Sequence, residues 1–267
     1  MQINGREESN CILQTLQEKR KNFKENIVLK IISFKNDIAN TSFIKIKKDF
    51  AAKLNIQCDV HYLDENKTSE ELKKEIENIS TQQDVKGVII QLPIPKHLSK
   101  ESLLNAIPSK LDIDCLTYTN LGKFYQNISS IVPPTVLALD YLVKKYNLIF
   151  KNVLLLGQGD LIGKPIAQYL LNNHIDFTCI NNIEKDIDQL CVSSDVIITG
   201  IGKPNLIKSS FIKKGSVIFD YGCSKLDKIC GDCESSLEFQ NICSFFTPVP
   251  NGLGPIVVAM LFENLLK

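Results

Sequence analysis

The sequence predicts an α/β protein of two domains, on three observations. Short apolar runs alternate with helix-period segments through the first third of the chain, the alternation restarts at Lys151, and a proline- and glycine-rich stretch precedes a final apolar segment. The first domain is expected to hold a mostly parallel sheet, because strands separated by helical segments pair through crossovers. The 267 residues, 44% hydrophobic and 23% charged, suffice for two modest cores.

The first series opens with a polar helix around Cys11 to Asn22. A strand from Ile27 to Ser33, a helix from about Thr41 to Leu54 and a strand near Gln57 to Tyr62 follow. A charged helix is expected from Ser69 to Ile79, with capping-box chemistry in Ser69-Glu70-Glu71-Leu72. Val88, Ile89 and Ile90 are apolar on both faces, as in a buried parallel strand, and Pro93 and Pro95 end it because proline cannot donate to a ladder. Gln91 is left at the carboxyl end of a core strand. Ligands bind at that end in open α/β sheets, and the stiff Leu92-Pro93-Ile94-Pro95 loop would fix the amide; the alternative is a polar strand terminus before an ordinary loop.

The second series begins with a strand from Val153 to Gly157. A turn follows, then a helix through Leu171 opened by Lys164-Pro165, with proline in the first turn where its missing N–H costs nothing. Strands at Phe177 to Ile180, Asp195 to Thr199 and Ser216 to Phe219 complete a Rossmann-like half. The turn from Gly157 to Gly163 has GxGxxxG spacing between strand and helix. Glycine permits the sharp turn and the close approach of a pyrophosphate, which the helix N-terminus favours; the alternative is a glycine-rich turn that binds nothing.

A formal net charge of +1 gives no electrostatic reason to expect nucleic acid or an anionic membrane as partner. No apolar run reaches the length of a membrane span, and MQINGREESN lacks the core of a signal peptide, so the cytoplasm is expected. The nine cysteines are scattered as reduced intracellular thiols would be. Cys230-Gly231-Asp232-Cys233 is the sole CxxC; with Cys223 and Cys243 it can be drawn as a zinc site, but a second close pair is missing and no metal is expected.

Three further segments carry candidate chemistry. Lys47 lies four residues after Phe43 on a helical stripe with Phe50 and Leu54, whereas Lys45 and Lys48 read as solvated charges. On that stripe Lys47 is either desolvated, with a lowered pKa suited to acid–base work, or a lysine whose head reaches water past an apolar stem. Asp112 and Asp114, followed by Asn120 and Gly122, read as a site pair or as turn caps. Thr247 to Pro255, TPVPNGLGP, is a rigid backbone suited to lining a ligand or to returning the chain to the first domain.

From about residue 28 onward, the segments GVIIQLPIPKH, DIDCLTYTNLG, PPTVLALDYL, VLLLGQGDLIGKPIAQYLL, DVIITGIGKPNLIKSSFIKKGSVIFDYG and FTPVPNGLGPIVVAMLFENLL resemble, in this order, the methylenetetrahydrofolate dehydrogenase/cyclohydrolase family. The resemblance implies a bifunctional one-carbon folate enzyme. Such an enzyme oxidises 5,10-methylenetetrahydrofolate to the methenyl form with NAD(P)+, NADP being favoured over NAD, and hydrolyses that to 10-formyltetrahydrofolate. It implies a folate-binding catalytic domain over residues 1–118, completed by a C-terminal helix within 252–267 that returns to it, and a Rossmann-like NAD(P)-binding domain over 119–251. By the same resemblance Lys47 is the catalytic lysine, Gln91 the glutamine that tunes it and Asp114 the aspartate that binds the pterin, with Phe43, Leu92, Pro93, Pro250 and Gly252 also on the substrate. Thr135, Gly157, Gln158, Gly159, Leu161, Ile162, Asn181, Gly200, Gly202, Lys203 and Gly222 are the implied cofactor contacts, and a homodimer formed through the cofactor domain is the implied assembly.

The chain departs from the family pattern at several of these positions. Phe43 replaces a tyrosine and keeps the ring without the hydroxyl, Cys115 replaces a glycine, Gln158 an arginine and Gly159 a serine; upstream, Lys35 and Asn40 replace glycine and serine. Gln158 lacks the charge that would hold a 2′-phosphate, and Asn181 and Asn182 supply neither an acidic ribose ligand nor a basic clamp. Two alternatives therefore stand beside the bifunctional enzyme. One is a dehydrogenase whose cyclohydrolase activity is weak or absent because of Phe43, the other a non-catalytic NAD(P)- or folate-binding paralogue. A generic Rossmann dehydrogenase is disfavoured by the QLPIP and TPVPNG loops.

Overall fold

A computed structural model describes residues 1–34, 38–181, 187–225 and 228–267; the side chains of 38–42 and 225 lie outside the description. Packing divides the chain into two compact units, each assembled from two segments. Ile12–Pro134 with Val258–Lys267 form one, and Met1–Cys11 with Thr135–Val257 form the other. The sequence reading drew its boundaries after residue 118 and before residue 252, and it gave the first eleven residues to the first domain.

The first unit is built on a parallel three-stranded sheet. Its elements are the greater part of α1 (Gly5–Arg20), then β1 (Val28–Ser33), α2 (Ile38–Lys53), β2 (Gln57–Tyr62), α3 (Ser69–Ser80), β3 (Val85–Ile90), α4 (Lys100–Leu104) and α5 (Tyr118–Tyr125). The strand order is β2-β1-β3. All six residues of β1 are buried, which is why the sequence shows a continuous apolar run rather than alternation. One face of the sheet, with Val28, Ile32, Val88 and Ile90, packs on Leu72, Ile76 and Ile79 of α3. Each such side chain contributes on the order of 1.5–3 kcal/mol when fully buried. Lys30, between Val28 and Ile32, is buried against the Asp59 carboxylate on β2 at 2.8 Å. A Cβ on Gly87 would fall 2.7 Å from Leu265 Cδ1, so glycine here lets the C-terminal helix lie close against β3.

The second unit carries a parallel five-stranded sheet. Its elements are α6 (Pro134–Lys145), β4 (Val153–Leu156), α7 (Gly163–Asn172), β5 (Phe177–Ile180), α8 (Ile187–Ser193), β6 (Val196–Thr199) and β7 (Val217–Asp220). A short antiparallel hairpin of β8 (Ser224–Lys225) and β9 (Ile229–Cys230) follows, then α9 (Leu237–Ile242), β10 (Phe245–Thr247) and the start of α10 (Leu253–Leu265). The order β10-β7-β6-β4-β5 puts the first strand, β4, between β5 and β6. The chain therefore leaves β4 in both directions, and its carboxyl end is the topological switch point where ligands bind in such sheets.

The first residues of the chain belong to this unit. Ile3 donates to the Phe246 carbonyl and Phe246 to the Met1 carbonyl, both at 2.9 Å. Glu8, buried, accepts from the Tyr141 and Tyr146 hydroxyls at 2.7 and 2.6 Å and from the Lys145 ammonium at 2.6 Å.

Most of the expected strands and the helices α2, α3 and α7 form within a few residues of their predicted positions, and the last ten residues join the first unit. Two details differ. The cap of α3 is Thr68, whose side chain accepts from Glu71 N while the Glu71 carboxylate accepts from Thr68 N, so the box begins one residue before Ser69. The sequence reading also missed α4, α5, α6, α8, α9 and the β8–β9 hairpin, as well as β10, whose three residues are too few to show a period.

Candidate active site

In the first unit, α2 and the end of β3 bring two of the expected side chains into contact. Lys47 Nζ donates to Gln91 Oε1 at 2.9 Å. Gln91 lies one residue past β3; its backbone N–H donates to the Ile32 carbonyl at 2.8 Å and its side-chain amide to the Leu92 carbonyl at 3.4 Å. The strand and the proline loop thus hold the amide from both sides.

The stripe on α2 changes character along its length. Phe50 and Leu54 are in the core, Lys47 is half-buried, and Phe43, one turn earlier, is 40% exposed. An aromatic face is therefore presented beside a lysine that is not free in water. Burial pushes the Lys47 ammonium below the usual lysine range, against the opposing pull of the Asp114 charge and of the Cys58 thiol. Asp114 is pushed up to about 6 by burial, moderated by Lys47 and reinforced by the like charge of Asp112. The burial of its head and its bond to Gln91 favour the desolvated alternative for Lys47. Lys45 and Lys48 are exposed, as expected. Lys35 lies outside the described residues, and of Asn40 only the backbone is described.

The aspartate pair splits into two roles. Asp112 is fully buried and acts as an anchor: its carboxylate accepts from Leu116 N, Thr117 N, the Thr117 hydroxyl and the Asn120 amide at 2.7–3.1 Å. Asp114, two residues on, is the one electrostatically coupled to Lys47. Cys115, where the family pattern has glycine, sits at φ 59° with its thiol 3.5 Å from the Ile131 carbonyl. Asn264 of α10 donates to the carbonyls of Ile113 and Val132 at 2.9 and 2.7 Å, fastening the peptide that precedes Asp114. Asn264 was not singled out in the sequence, where an amide in an apolar helix gave no signal beyond its burial.

In the second unit the expected cofactor turn follows β4. Gly157 has φ 102°, a conformation that strains any other residue, and a Cβ there would meet the Gly200 carbonyl oxygen at 3.0 Å. A Cβ on Gly163 would fall 2.1 Å from the Gly157 oxygen, and one on Gly200 would fall 2.6 Å from Ile162 Cγ2. These three glycines let the turn, the start of α7 and the end of β6 close on one another. Gly159 has open space where its Cβ would be, residues 158–161 are exposed, and α7 begins without a side-chain cap. An open glycine turn at an uncapped helix N-terminus on the switch strand suits the pyrophosphate of a dinucleotide.

The other expected cofactor residues fall into different roles in the same unit. Thr135 spends its hydroxyl on the Leu161 carbonyl at 2.9 Å, bracing the turn, and its own carbonyl accepts from Tyr221. Gln158 is exposed, with its amide 3.7 Å from Cys179 Sγ; Asn181 is exposed just past β5, and Asn182 lies outside the described residues. Gly202 and Lys203 form an exposed turn after β6, with Gly202 at φ 79°. Gly222 is buried, and a Cβ there would fall 2.4 Å from the Asp232 carboxylate. Pro250 is exposed, whereas Gly252 is buried, its carbonyl oxygen 1.7 Å from where a Cβ on Gly5 would lie.

Among the described residues no group of three or more His, Cys, Asp or Glu side chains is placed to hold a metal ion. Cys233 and Cys243 are packed in the apolar core with Phe239, while Cys223 is exposed.

Comparison with known proteins covers both units. Residues 3–114 match the catalytic domain of tetrahydrofolate dehydrogenase/cyclohydrolase, and residues 133–267 match its NAD(P)-binding domain. The chain belongs to this family. It is 32% identical to the bifunctional protein FolD of Acetivibrio thermocellus over 99% of this chain and 95% of that one. The crystal structure of the bifunctional FolD dehydrogenase/cyclohydrolase from Campylobacter jejuni superposes with a TM-score of 0.92 at 30% identity, covering 100% and 97% of the two chains. That of Trypanosoma brucei FolD, complexed with NADP cofactor and inhibitor, also gives 0.92, at 27% identity over 100% and 96%. Both domains of tetrahydrofolate dehydrogenase/cyclohydrolase are matched in order, which sets aside a generic Rossmann dehydrogenase of another substrate.

Proposed function

We propose that this chain oxidises 5,10-methylenetetrahydrofolate and hydrolyses the methenyl product to 10-formyltetrahydrofolate, with Lys47, Gln91 and Asp114 as the working side chains. The observation that carries this reading is the Lys47–Gln91 hydrogen bond at 2.9 Å on a desolvated lysine coupled to Asp114. Asp114, when ionised, accepts paired hydrogen bonds from the aminopyrimidinone of the pterin, and the exposed ring of Phe43 stacks on the folate. Gln91 orients Lys47. In its neutral form Lys47 takes a proton from water as the water oxygen bonds to the methenyl carbon; the ammonium so formed gives that proton to the ring nitrogen as the carbon–nitrogen bond breaks, and the hydroxyl proton of the adduct leaves to solvent as the formyl C=O forms. Lowering the lysine pKa by burial raises the fraction able to do so near neutral pH. Leu92 and Pro93 hold the loop behind Gln91.

The glycine turn from Gly157 to Gly163 and residues 200–203 would hold NAD(P)+. Once bound, the nicotinamide supplies the hydride acceptor for the methylene carbon. NADP+ is proposed as the preferred cofactor; the trypanosomal FolD carries NADP, and Gln158 weakens the preference because it offers an amide where a charge would grip a 2′-phosphate. A cytoplasmic homodimer joined through the cofactor domain is part of the same reading, and light scattering tests its mass.

The deciding experiment follows oxidation of methylenetetrahydrofolate with NADP+ and NAD+ separately, then the decay of the methenyl absorbance. Turnover with a higher kcat/KM for NADP+ is expected. No absorbance change with either cofactor overturns the reading.

A further inference from the structure

The CGDC motif holds its chemistry in the residue between its cysteines. Asp232 is completely buried in the second unit. Its Oδ1 accepts from Gly202 N at 2.9 Å and Lys203 N at 2.8 Å, and its Oδ2 accepts from Ile201 N and from the Thr199 hydroxyl, both at 2.8 Å. Four donors on two oxygens satisfy the carboxylate, and three of them are consecutive peptide N–H groups of one turn. The turn is fixed from its other side too, because the Gly202 carbonyl accepts from the Ser224 hydroxyl at 2.7 Å. Gly202 is exposed at φ 79°, and the space its Cβ would fill is open. The result is a bare, immobilised peptide at the carboxyl end of β6, next to the switch strand β4.

The surroundings are arranged to admit this carboxylate. A Cβ on Gly222 would fall 2.4 Å from Asp232, and one on Gly231 would fall 2.2 Å from Asp220 Oδ2. Asp220 in turn accepts from Gly222 N, Asp232 N and Cys233 N at 2.8–3.1 Å, so a second buried carboxylate holds the segment that carries the first. Burial and the nearby Asp232 charge push Asp220 up to about 6. Gly200, just before the anchored turn, packs against Ile162 of the Gly157 turn. The turn that Asp232 anchors thus lies directly against the Gly157 turn through Gly200 and Ile162.

We propose that Asp232 is the positioning residue of the cofactor site, shaping the Ile201-Gly202-Lys203 turn from beneath so that it receives the nicotinamide dinucleotide without reorganising. The proposal rests on the functional reading above, in which residues 200–203 line that site. Asp232→Asn replaces one acceptor oxygen by a donor that faces peptide N–H groups, so at least one oxygen's bonds are lost. Thr199→Val removes a single hydroxyl and keeps the three peptide bonds, and Ser224→Ala frees the Gly202 carbonyl.

The test is the dissociation constant of NADP+ and of NAD+, measured by calorimetry on the full chain, alongside cofactor-independent hydrolysis of methenyltetrahydrofolate. Asp232→Asn is expected to weaken cofactor binding by about tenfold or more, on the scale of hydrogen bonds to a charged group. The folate KM for hydrolysis is expected to stay within about twofold, as for a local loss of binding rather than a global one. Ser224→Ala is expected to weaken cofactor binding about threefold, on the scale of one neutral hydrogen bond, and Thr199→Val, which loses one bond to the carboxylate, by about tenfold or less. Wild-type cofactor affinity in Asp232→Asn overturns the proposal, as does a parallel loss of folate affinity. If Asp232→Asn does not fold, unchanged affinity in both milder variants overturns it. A wild-type protein that binds neither cofactor overturns the functional reading and this proposal together, a result distinct from any involving the variants alone.

Discussion

In the first unit a lysine is hydrogen-bonded to a glutamine and feels the charge of an aspartate, with burial shifting the ionisation of both charged groups. In the second, the groups left open to a ligand are peptides of two glycine turns, and the side chains that matter lie underneath, facing away from the opening. The two constructions fail differently. A site made of side chains loses its chemistry when one functional group is exchanged without change of shape. A site made of backbone tolerates most exchanges at its surface but is lost when a Cβ enters a tight turn or when a buried anchor is removed.

The largest expected effect lies on the side-chain site. Lys47→Met should reduce methenyltetrahydrofolate hydrolysis by about 10²–10⁴-fold, the usual worth of a positioned acid–base group, while calorimetry finds cofactor affinity unchanged. Residual hydrolysis near wild type would mean that the proton is carried elsewhere. Asp114→Asn should raise the folate KM by about 10–100-fold, the equivalent of one or two units of 1.4 kcal/mol, and leave the NADP+ dissociation constant alone.

Gly157→Ala probes the backbone site. With φ at 102° and the Gly200 oxygen 3.0 Å from the new Cβ, it should cost about 1–2 kcal/mol locally and weaken cofactor binding by about tenfold, with hydrolysis retained. Equal losses in both activities would erase the distinction between the sites.

A pH series sharpens it further. Because the Asp114 carboxyl titrates at about 6, its ionised form is halved near that pH and disappears below it. The folate KM should therefore rise as pH falls through 6, and that rise should be lost in Asp114→Asn; cofactor affinity is no control here, because Asp220 beneath the second site is also pushed up to about 6. A flat folate KM from pH 7 to 5 would argue against an ionised Asp114 on the pterin. The smallest effect is expected from Phe43→Tyr, which should raise hydrolysis by about two- to fivefold if a hydroxyl beside Lys47 helps orient it or water. An unchanged rate would show that the ring alone suffices.

The side-chain site was legible because its signals are local. A lysine on an apolar helical stripe and an amide stranded where prolines stop a buried strand are anomalies visible within a dozen residues. The Gly157 turn was legible for the same reason, as strand, glycines and proline-started helix lie in one stretch. Asp232 was not, since the peptides it holds lie 29–31 residues earlier, and an aspartate between two cysteines invites attention to the sulfur. Asp112 and Asp114 looked equivalent in sequence, and only burial with four donors on one of them separated anchor from site. Gly222 and Gly252 fit a ligand-lining pattern, yet each has a neighbour packed where a side chain would go, a fact fixed by chain crossing rather than by sequence neighbours.

Neither compact unit is a continuous piece of chain: the first takes Val258–Lys267 and the second takes Met1–Cys11. During synthesis the early sheet therefore emerges long before the helix that packs at Gly87 and fastens Ile113 through Asn264. The nascent chain must carry an unfinished apolar face through the translation of residues 135–257, an interval in which exposed apolar surface favours aggregation. A premature stop a few codons before the end would remove the fastening of the Asp114 loop while sparing every residue of the cofactor turn.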